Sequence, residues 1–323
     1  MAHARRSAPS VWALAIHGGA GFGGEEAHGA EQDAAIRAEL AAVLEAGARM
    51  LASGAPALDA VEDAVRRLED CPLFNAGRGA AFNERGEHEL EASIMDGRTL
   101  AAGAVAVLRG IKNPVFVARL VMERSPHVFL QGEGAAAFAA RHGIERVGDE
   151  YFRTERRLRA LHDAQRAAVT GPPGDIERSP PPPDAGTVGA VARDVDGNLA
   201  AATSTGGLTN KAPGRVGDSS IIGAGTYASN ASCAVSCTGH GEYFIRATAA
   251  RDVAALVEYG GLDLAAAVDR VIRSRVAALG GQGGAIAVDR AGYVACAFNT
   301  PVMLRGRVTA TSPPAVGIRA ETD

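Results

Sequence analysis

The side chains in this sequence that could carry out chemistry lie close together, between positions 186 and 241. Three threonines there stand beside glycines, and a basic and an acidic residue share a short glycine-rich segment between the second and the third. The set consists of Thr187, Thr205, Arg215, Asp218, Thr238 and Gly239. Hydroxyls, a guanidinium, a carboxylate and a backbone N–H donor are groups that acyl transfer uses, although this set lacks a base.

A base for these hydroxyls can come from two kinds of group. His17 and His240 qualify by residue type, although nothing in the sequence places either beside a threonine. A free amine on Thr187 would also serve, because an α-amino group titrates at about pH 8 and can deprotonate the hydroxyl of its own residue.

The first threonine of the set stands where a proline-rich segment meets a predicted β-hairpin. Residues 189–203 form two apolar runs around a charged turn at 194–198, a pattern typical of two antiparallel strands. The prolines of residues 171–185 exclude a helix interior or a central strand. We therefore predict a flexible linker that runs into a strand at Thr187, and we expect the chemistry at this junction.

The remaining elements follow from hydrophobic periodicity and from the positions of glycine and proline. We predict helices over residues 31–52, 58–68, 113–122, 133–141, 151–168, 242–259 and 262–279. We predict strands over 12–16, 92–95, 102–108, 221–224 and 233–237, a glycine-rich turn at 17–21 and a second hairpin over 284–298. Residues after Arg305 are low in apolar content and are expected to trail along the surface. This mixed order of helices, strands and hairpins along the chain favours an α+β layered sandwich over a doubly wound parallel sheet.

Composition restricts the partners and the compartment. A net charge of −4 argues against nucleic acid or an anionic membrane as a partner. No apolar run approaches the length of a membrane span, and the run at 11–16 is too short for a signal peptide. The four cysteines are scattered and lack the spacing of a zinc site or a disulfide framework. We expect a cytoplasmic protein.

Each feature of the candidate site also has an ordinary structural interpretation. Arg215 and Asp218 could be a surface ion pair that contributes little to stability. Thr238 could be only a helix N-cap, and the turn at 194–198 imitates part of a calcium loop without its closing glutamate. These interpretations give no reason for the features to occur together in one order.

Six motifs in that order carry a resemblance to a known family. The chain resembles the plant-type L-asparaginases, also called isoaspartyl peptidases or β-aspartyl-peptidases, of the N-terminal nucleophile hydrolases. The resemblance runs from about His17 to Phe298, and its motifs are His17-Gly-Gly-Ala-Gly21, Cys71-Pro-Leu-Phe-Asn-Ala-Gly77, Gly186-Thr-Val-Gly-Ala-Val191, Thr203-Ser-Thr-Gly-Gly207, Pro213-Gly-Arg-Val-Gly-Asp218 and Thr238-Gly239.

The resemblance implies an αββα four-layer sandwich, made as an inactive precursor that cleaves itself between Gly186 and Thr187. The α subunit would be residues 1–186, with the proline-rich linker near 171–185, and the β subunit residues 187–323. Both would form one structural domain. Gly186 suits this reaction, because a residue without Cβ tolerates the twisted peptide that a hydroxyl attacks.

The resemblance also implies a role for each residue of the set. Thr187 would be the nucleophile and, through its new amine, the base, and Thr205 would orient it. The Thr238 hydroxyl and the Gly239 N–H would form the oxyanion hole. Arg215 would bind the substrate α-carboxylate and Asp218 the α-ammonium. L-asparagine and β-aspartyl dipeptides share the aspartyl head that this pair selects, and the sequence does not decide between them.

Metal and assembly are implied more weakly. The reaction needs no cofactor, but the family has a structural sodium site in a loop of backbone carbonyls. The corresponding residues here are Leu68, Glu69, Cys71, Phe74, Ala76 and Arg78. The family also implies a dimer of αβ heterodimers. Alternatives are a glycosylasparaginase, a threonine endopeptidase, and an uncleaved protein that binds aspartyl ligands without turnover.

Overall fold

The larger of two β-sheets positions the junction at Thr187. The computed structural model describes residues 11–21, 29–170 and 186–320. In this part of the chain, eight strands form one sheet in the order β12-β11-β1-β5-β6-β2-β3-β4. They are β1 Ala13–Gly21, β2 Leu90–Asp96, β3 Ala102–Leu108, β4 Phe129–Gln131, β5 Val188–Arg193, β6 Leu199–Thr205, β11 Val302–Thr309 and β12 Ser312–Arg319.

The central strands of this sheet are buried on both faces. In β6 all seven residues are buried, and the strand is built from small and apolar side chains. Because both faces are covered, its sequence does not alternate between apolar and polar residues, and only the last three residues are polar. The predicted hairpin at 189–203 is confirmed as β5 and β6, which pair antiparallel with Val188 opposite Ser204.

Helices cover one face of the larger sheet. They are α1 Ala30–Ala52, α2 Ala57–Asp70 and α3 Pro114–Arg124. The apolar stripe of α1, which includes Ile36, Leu40 and Leu44, is fully buried in the same core cluster as Leu14 and Ile16 of β1. Burial of this kind stabilises each element by roughly 25 cal/mol per Å² of apolar surface. Two further helices, α4 Gly132–Arg141 and α5 Glu155–Thr170, follow β4 in the chain.

A second sheet packs on the opposite face of the first. It has the order β10-β9-β8-β7, with β7 Thr226–Ala228, β8 Cys233–Gly239, β9 Gly283–Asp289 and β10 Val294–Phe298. A separate core cluster joins the sheets, in which Ala15 and Val191 of the first meet Ile286 and Val288 of the second. Behind the second sheet lie α6 Gly241–Ala247, α7 Ala249–Glu258 and α8 Leu264–Asp269, the last continuing as a π-helix over Arg270–Val276. The described residues therefore form an α+β fold.

Two predictions about the ends of the large sheet are wrong. Residues after Arg305 do not trail along the surface, because β11 pairs with β1 and β12 pairs with β11. In β11, Arg305 and Arg307 alternate with buried or small residues, which lowers its apolar content. The segment at 17–21 is likewise part of β1 and not a turn, with a register shift between His17 and Gly19.

Two predictions in the C-terminal half are also wrong. Residues 221–224 form turns, not a strand, and their carbonyls accept backbone bonds: Ala250 N donates to Ala224 O and Arg251 N donates to Gly223 O. These bonds begin a new helix, so the predicted helix 242–259 is interrupted at Thr248, which has a left-handed φ of 46°. The apolar periodicity continues across the break and hides it.

Three further observations concern the linker, membrane spans and the cysteines. The proline-rich linker at 171–185 lies outside the described residues. Within the described ranges, no helix combines the length and apolarity needed to cross a membrane. Cys71, Cys233, Cys237 and Cys296 are free thiols.

Candidate active site

The β5–β6 hairpin brings two predicted threonines together. Thr187 directly precedes β5 and Thr205 ends β6, and the Thr187 Oγ1 donates a hydrogen bond to Thr205 Oγ1 at 3.2 Å. Thr205 accepts a second bond from Gly207 N at 2.9 Å and donates its own proton to Gly186 O at 3.2 Å. One hydroxyl therefore connects the Thr187 side chain with the carbonyl of the preceding residue.

The carbonyl of Gly186 has a second donor that the sequence did not reveal. Asn75 Nδ2 donates to Gly186 O at 2.7 Å and to Gly207 O at 2.7 Å. Its Oδ1 accepts a bond from Ala81 N at 2.8 Å, which fixes the amide orientation. Two donors at one carbonyl can stabilise negative charge on its oxygen. Asn75 lies within one of the six motifs, but the resemblance gives a role only to its neighbours, as metal ligands.

The glycines beside this carbonyl are required by close backbone approach. A Cβ at Gly19 would lie 2.7 Å from Gly186 Cα and 3.0 Å from Thr187 N, and Gly19 has a φ of 114°. A side chain at this position would push the junction away from β1. The glycine-rich motif therefore allows β1 to contact the 186–187 peptide.

Thr238 and Gly239 end β8 on the opposite side of Thr187. Thr238 is buried, and its Oγ1 accepts a bond from Ala20 N at 3.1 Å, so its proton can be donated elsewhere. Gly239 has a φ of 145°, and a Cβ there would overlap Gln282 O. Gly239 lines the same small pocket as Thr187, Thr205, Arg215 and Asp218, which places these predicted residues around one space.

The guanidinium of Arg215 is held by a partner that the sequence did not indicate. Its Nε and Nη2 donate to Glu242 Oε1 and Oε2 at 2.9 and 3.0 Å. Burial disfavours the charge of both groups, but this pair keeps the pKa of Glu242 below and that of Arg215 above its ordinary value. Arg215 and Asp218 are therefore not a surface ion pair, because the guanidinium is bonded to Glu242 and the carboxyl of Asp218 is buried.

Asp218 is a buried carboxyl that takes part in no ion pair among the described residues. It is 3% exposed, and its Oδ2 has no hydrogen-bond partner among the described residues. Burial raises the pKa of Asp218 to about 7, against the opposing effect of Arg215, and the charges of Glu91 and Glu242 raise it further. A buried carboxylate without a partner is costly unless a cation binds it. This environment suits a ligand that carries an ammonium group.

Two glutamates from the region of β2 hold the loop that carries Arg215 and Asp218. Glu89 Oε2 accepts a bond from Gly214 N at 3.0 Å, and Glu91 accepts from Gly217 N at 2.9 and 3.1 Å. Lys211 Nζ lies 3.8 Å from Glu91 Oε1, although burial lowers the pKa of this lysine. The loop is thus fixed at both ends by buried charge. In the sequence these charged residues stand apart from one another, and no pattern predicted that they would hold this loop.

Neither candidate histidine contacts the Thr187 hydroxyl through a described hydrogen bond. His17 Nδ1 lies 2.7 Å from Thr187 O and Nε2 lies 2.8 Å from Ser236 Oγ. Complete burial lowers the pKa of His17 to about 3, so the ring is neutral at physiological pH. His240 precedes α6, and burial lowers its pKa as well.

The predicted sodium loop at 68–78 is folded by short-range backbone hydrogen bonds. Three of its carbonyls accept internal bonds: Leu68 O from Cys71 N at 3.4 Å, Cys71 O from Phe74 N at 3.4 Å, and Ala76 O from Gly79 N at 3.1 Å. A carbonyl has two lone pairs, so these oxygens can still bind a cation. Burial raises the pKa of Glu69 to about 8, which leaves its carboxyl neutral at pH 7.

Comparisons with known proteins cover almost the whole chain. The family model described as asparaginase matches residues 10–318. The isoaspartyl peptidase of Escherichia coli is 54% identical over 313 residues, which are 95% of this chain and 96% of that protein. The isoaspartyl peptidase of Salmonella typhimurium is 53% identical, over 95% of this chain and 98% of that protein. A probable isoaspartyl peptidase/L-asparaginase of Arabidopsis thaliana is 46% identical, over 92% and 96%.

Proposed function

This chain belongs to the asparaginase family, and we propose that it is a self-processing threonine hydrolase that releases L-aspartate from β-aspartyl dipeptides and from L-asparagine. The observation that carries this proposal is the position of Thr187. Its hydroxyl donates to Thr205, which in turn donates to Gly186 O. These two bonds support attack by the same hydroxyl on the preceding peptide and, after cleavage, on a substrate.

Maturation begins when the Thr187 Oγ attacks the carbonyl carbon of Gly186. Asn75 Nδ2 and the Thr205 hydroxyl, both bonded to Gly186 O, stabilise the oxyanion. The C–N bond breaks, the nitrogen takes up the hydroxyl proton, and Gly186 becomes an ester on Thr187. Water hydrolyses this ester, which leaves residues 1–186 as the α subunit and residues 187–323 as the β subunit with a free amine on Thr187.

Turnover uses that amine as the base. It takes the proton of the Thr187 hydroxyl while the oxygen attacks the β-carbonyl of the substrate. The Thr238 hydroxyl and the Gly239 N–H stabilise the oxyanion, and the proton passes to the leaving amine or ammonia. A β-aspartyl ester on Thr187 remains. Water, deprotonated by the same amine, then attacks the ester and releases L-aspartate.

The loop at 214–218 selects the aspartyl head. Glu242 occupies two of the five N–H donors of Arg215, which leaves three for a substrate α-carboxylate. Asp218, buried and unpaired at Oδ2, binds the α-ammonium. The loop that carries Arg215 and Asp218 is held in place because Glu89 accepts a bond from Gly214 N and Glu91 accepts one from Gly217 N. The distance between the two substrate-binding side chains is therefore set before a substrate arrives.

Fold, metal, assembly and location complete the proposal. Helices lie behind each of two facing sheets, which supports an αββα four-layer sandwich. The reaction needs no cofactor, and a structural sodium would be bound by backbone carbonyls of the loop at 68–78. We further propose a dimer of αβ heterodimers in the cytoplasm that acts on small molecules.

The test follows the intact mass of purified protein together with its turnover of L-asparagine and of a β-aspartyl dipeptide. We expect two fragments that meet between Gly186 and Thr187, and release of aspartate from one substrate or both. Thr187→Ala should stay at full length and be inactive. A parent that never splits yet hydrolyses substrate would exclude the amine as base. A parent that binds aspartyl ligands without turnover would exclude the enzyme.

A further inference from the structure

A histidine side chain provides the hydrogen bond to the carbonyl oxygen of the proposed nucleophile. The antiparallel register between β1 and β5 ends at His17 opposite Gly189, so Thr187 lies beyond the last residue pair of this ladder. A buried carbonyl in such a position needs another donor. His17 Nδ1 meets this need at 2.7 Å from Thr187 O.

The other ring nitrogen of His17 is bound to buried hydroxyls that lie between the two sheets. Nε2 contacts Ser236 Oγ at 2.8 Å, and Ser236 Oγ contacts Thr203 Oγ1 at 2.7 Å. Thr226 and Ser93 continue this hydroxyl chain: Thr226 Oγ1 donates to Thr203 Oγ1, and Ser93 Oγ donates to Thr226 Oγ1 at 2.8 Å. All of these residues are 0–1% exposed. In this order Thr203 donates to Ser236, which leaves the Ser236 proton for His17 Nε2.

The partners of His17 determine which nitrogen carries its proton. A carbonyl oxygen can only accept, so Nδ1 must be the donor towards Thr187 O. In the neutral ring Nε2 then accepts from the Ser236 hydroxyl. Ser236 therefore stabilises the one neutral tautomer that can bind Thr187, in the way that a second hydrogen bond commonly fixes a functional histidine.

The strand that carries Thr187 leaves room for this contact. A Cβ at Gly189 would overlap both Ser236 Oγ and His17 Nε2. Gly189 has no left-handed φ that would otherwise require glycine. The absence of a side chain here is explained by the His17–Ser236 bond.

We propose that His17 is a positioning residue for Thr187, with its tautomer held by Ser236 and its space provided by Gly189. In the precursor the nucleophile is restrained from both sides by the chain. Cleavage removes the peptide bond on its amino side, and the bond from His17 to Thr187 O then restrains the new terminal residue. Without it, Thr187 could rotate and move its hydroxyl away from the reacting carbonyl.

The inference rests on the proposed function, and its test compares three variants with the full-length parent. His17→Leu removes the donor, His17→Gln keeps an N–H that can reach the carbonyl, and Ser236→Ala keeps the ring but removes its tautomer partner. Leu40→Ala, a buried change on α1, serves as a control for lost stability alone. Intact mass gives the self-cleavage rate, and kinetics with a β-aspartyl dipeptide, normalised to cleaved chain, give kcat and KM.

We expect His17→Leu to lower the self-cleavage rate and kcat by about 10- to 100-fold, as for a lost buried hydrogen bond, while KM stays within about threefold. His17→Gln should recover part of this loss, and Ser236→Ala should show a smaller loss. Leu40→Ala should lower the melting temperature without these kinetic changes. Rates for His17→Leu within about threefold of the parent would overturn the proposal, as would equal losses in His17→Gln and His17→Leu or in the Leu40→Ala control.

A spectroscopic measurement decides the question if His17→Leu does not fold. Nitrogen NMR of histidine-labelled Thr187→Ala precursor should show His17 as the neutral tautomer protonated at Nδ1, and Ser236→Ala should disturb it. A ring protonated at Nε2 alone, or at both nitrogens at pH 7, would overturn the proposal. If the parent cleaves itself but hydrolyses no β-aspartyl substrate, the proposed function fails, while the cleavage and NMR measurements still judge His17.

Discussion

Asp218→Asn should stabilise the folded protein at neutral and alkaline pH while it weakens substrate binding. The parent carboxyl is buried, and its Oδ2 has no hydrogen-bond partner among the described residues. Ionisation therefore places a buried charge close to the carboxylates of Glu91 and Glu242, with no hydrogen bond at Oδ2 among the described residues. Asparagine keeps the shape of the side chain but cannot ionise.

The size of the effect follows from the pKa of Asp218, which burial raises from 3.8 to about 7. One pKa unit corresponds to about 1.36 kcal/mol, so the shift of roughly three units corresponds to about 4 kcal/mol. Below about pH 4 the carboxyl is protonated in both states and costs nothing. Between about pH 4 and pH 7 the unfolded chain loses the proton and the folded chain keeps it, so stability falls as pH rises. Above about pH 7 the full loss of about 4 kcal/mol is present, and the variant lacks it.

Urea unfolding in the uncleaved Thr187→Ala background measures this difference on a single chain. We expect the free energies of unfolding of the Asp218→Asn protein and its parent to diverge steadily from pH 5 to pH 8, with the variant more stable at pH 8. Asp196→Asn, an exposed change in the β5–β6 turn, is the matched control and should give a difference within about 0.5 kcal/mol at every pH.

A constant difference between pH 5 and pH 8 would refute the reasoning, because it would mean that Asp218 ionises as easily in the folded protein as in the unfolded chain. The active enzyme offers an independent check on the same carboxyl. Its kcat/KM should fall as pH decreases through about 7, since protonated Asp218 cannot bind an ammonium group.

Three further predictions concern neighbouring parts of the site. Arg215→Lys should raise KM strongly and leave self-cleavage intact, because lysine lacks the planar fork; kinetics within about threefold of the parent would count against a carboxylate-binding role. Asn75→Ala should slow self-cleavage by about 100-fold, as for a lost oxyanion donor, yet chains that have cleaved should keep the parent kcat. A strong chelator should leave activity intact, whereas replacing sodium by a larger cation should lower the melting temperature through the loop at 68–78; complete loss in chelator that zinc restores would contradict a metal-free mechanism.

The sequence predicts the parts of the fold that local patterns encode. The β5–β6 hairpin follows from its two apolar runs and its charged turn, and α1 and α2 follow from apolar spacing. In contrast, β12 contains two adjacent prolines, which argue against a strand but are tolerated at the sheet edge that β12 occupies. The break at Thr248 depends on bonds from α7 to a distant turn, which no local pattern records.

The same distinction applies to the site. Residues with a chemical signature and glycine neighbours, such as Thr187 and Arg215, can be selected from the sequence alone. Glu242 cannot, because a glutamate early in a helix is ordinary and its bond to Arg215 spans 27 positions. Asn75 escapes notice for a similar reason, since 111 positions separate it from Gly186. Residues that bind substrate leave a signal in composition, whereas those that hold them in place depend on the fold.

The two reactions proposed for Thr187 require two separate sets of oxyanion donors. The carbonyl of Gly186 is bonded to Asn75 and Thr205. Thr238 and Gly239 come from the other sheet, at the end of β8. In the uncleaved chain Gly186 and Gly239 line the same small pocket. In the proposed sequence of reactions, self-cleavage does more than free an amine: it replaces the Gly186 carbonyl by a substrate carbonyl in front of the same hydroxyl, while the bond from His17 to Thr187 O restrains the nucleophile.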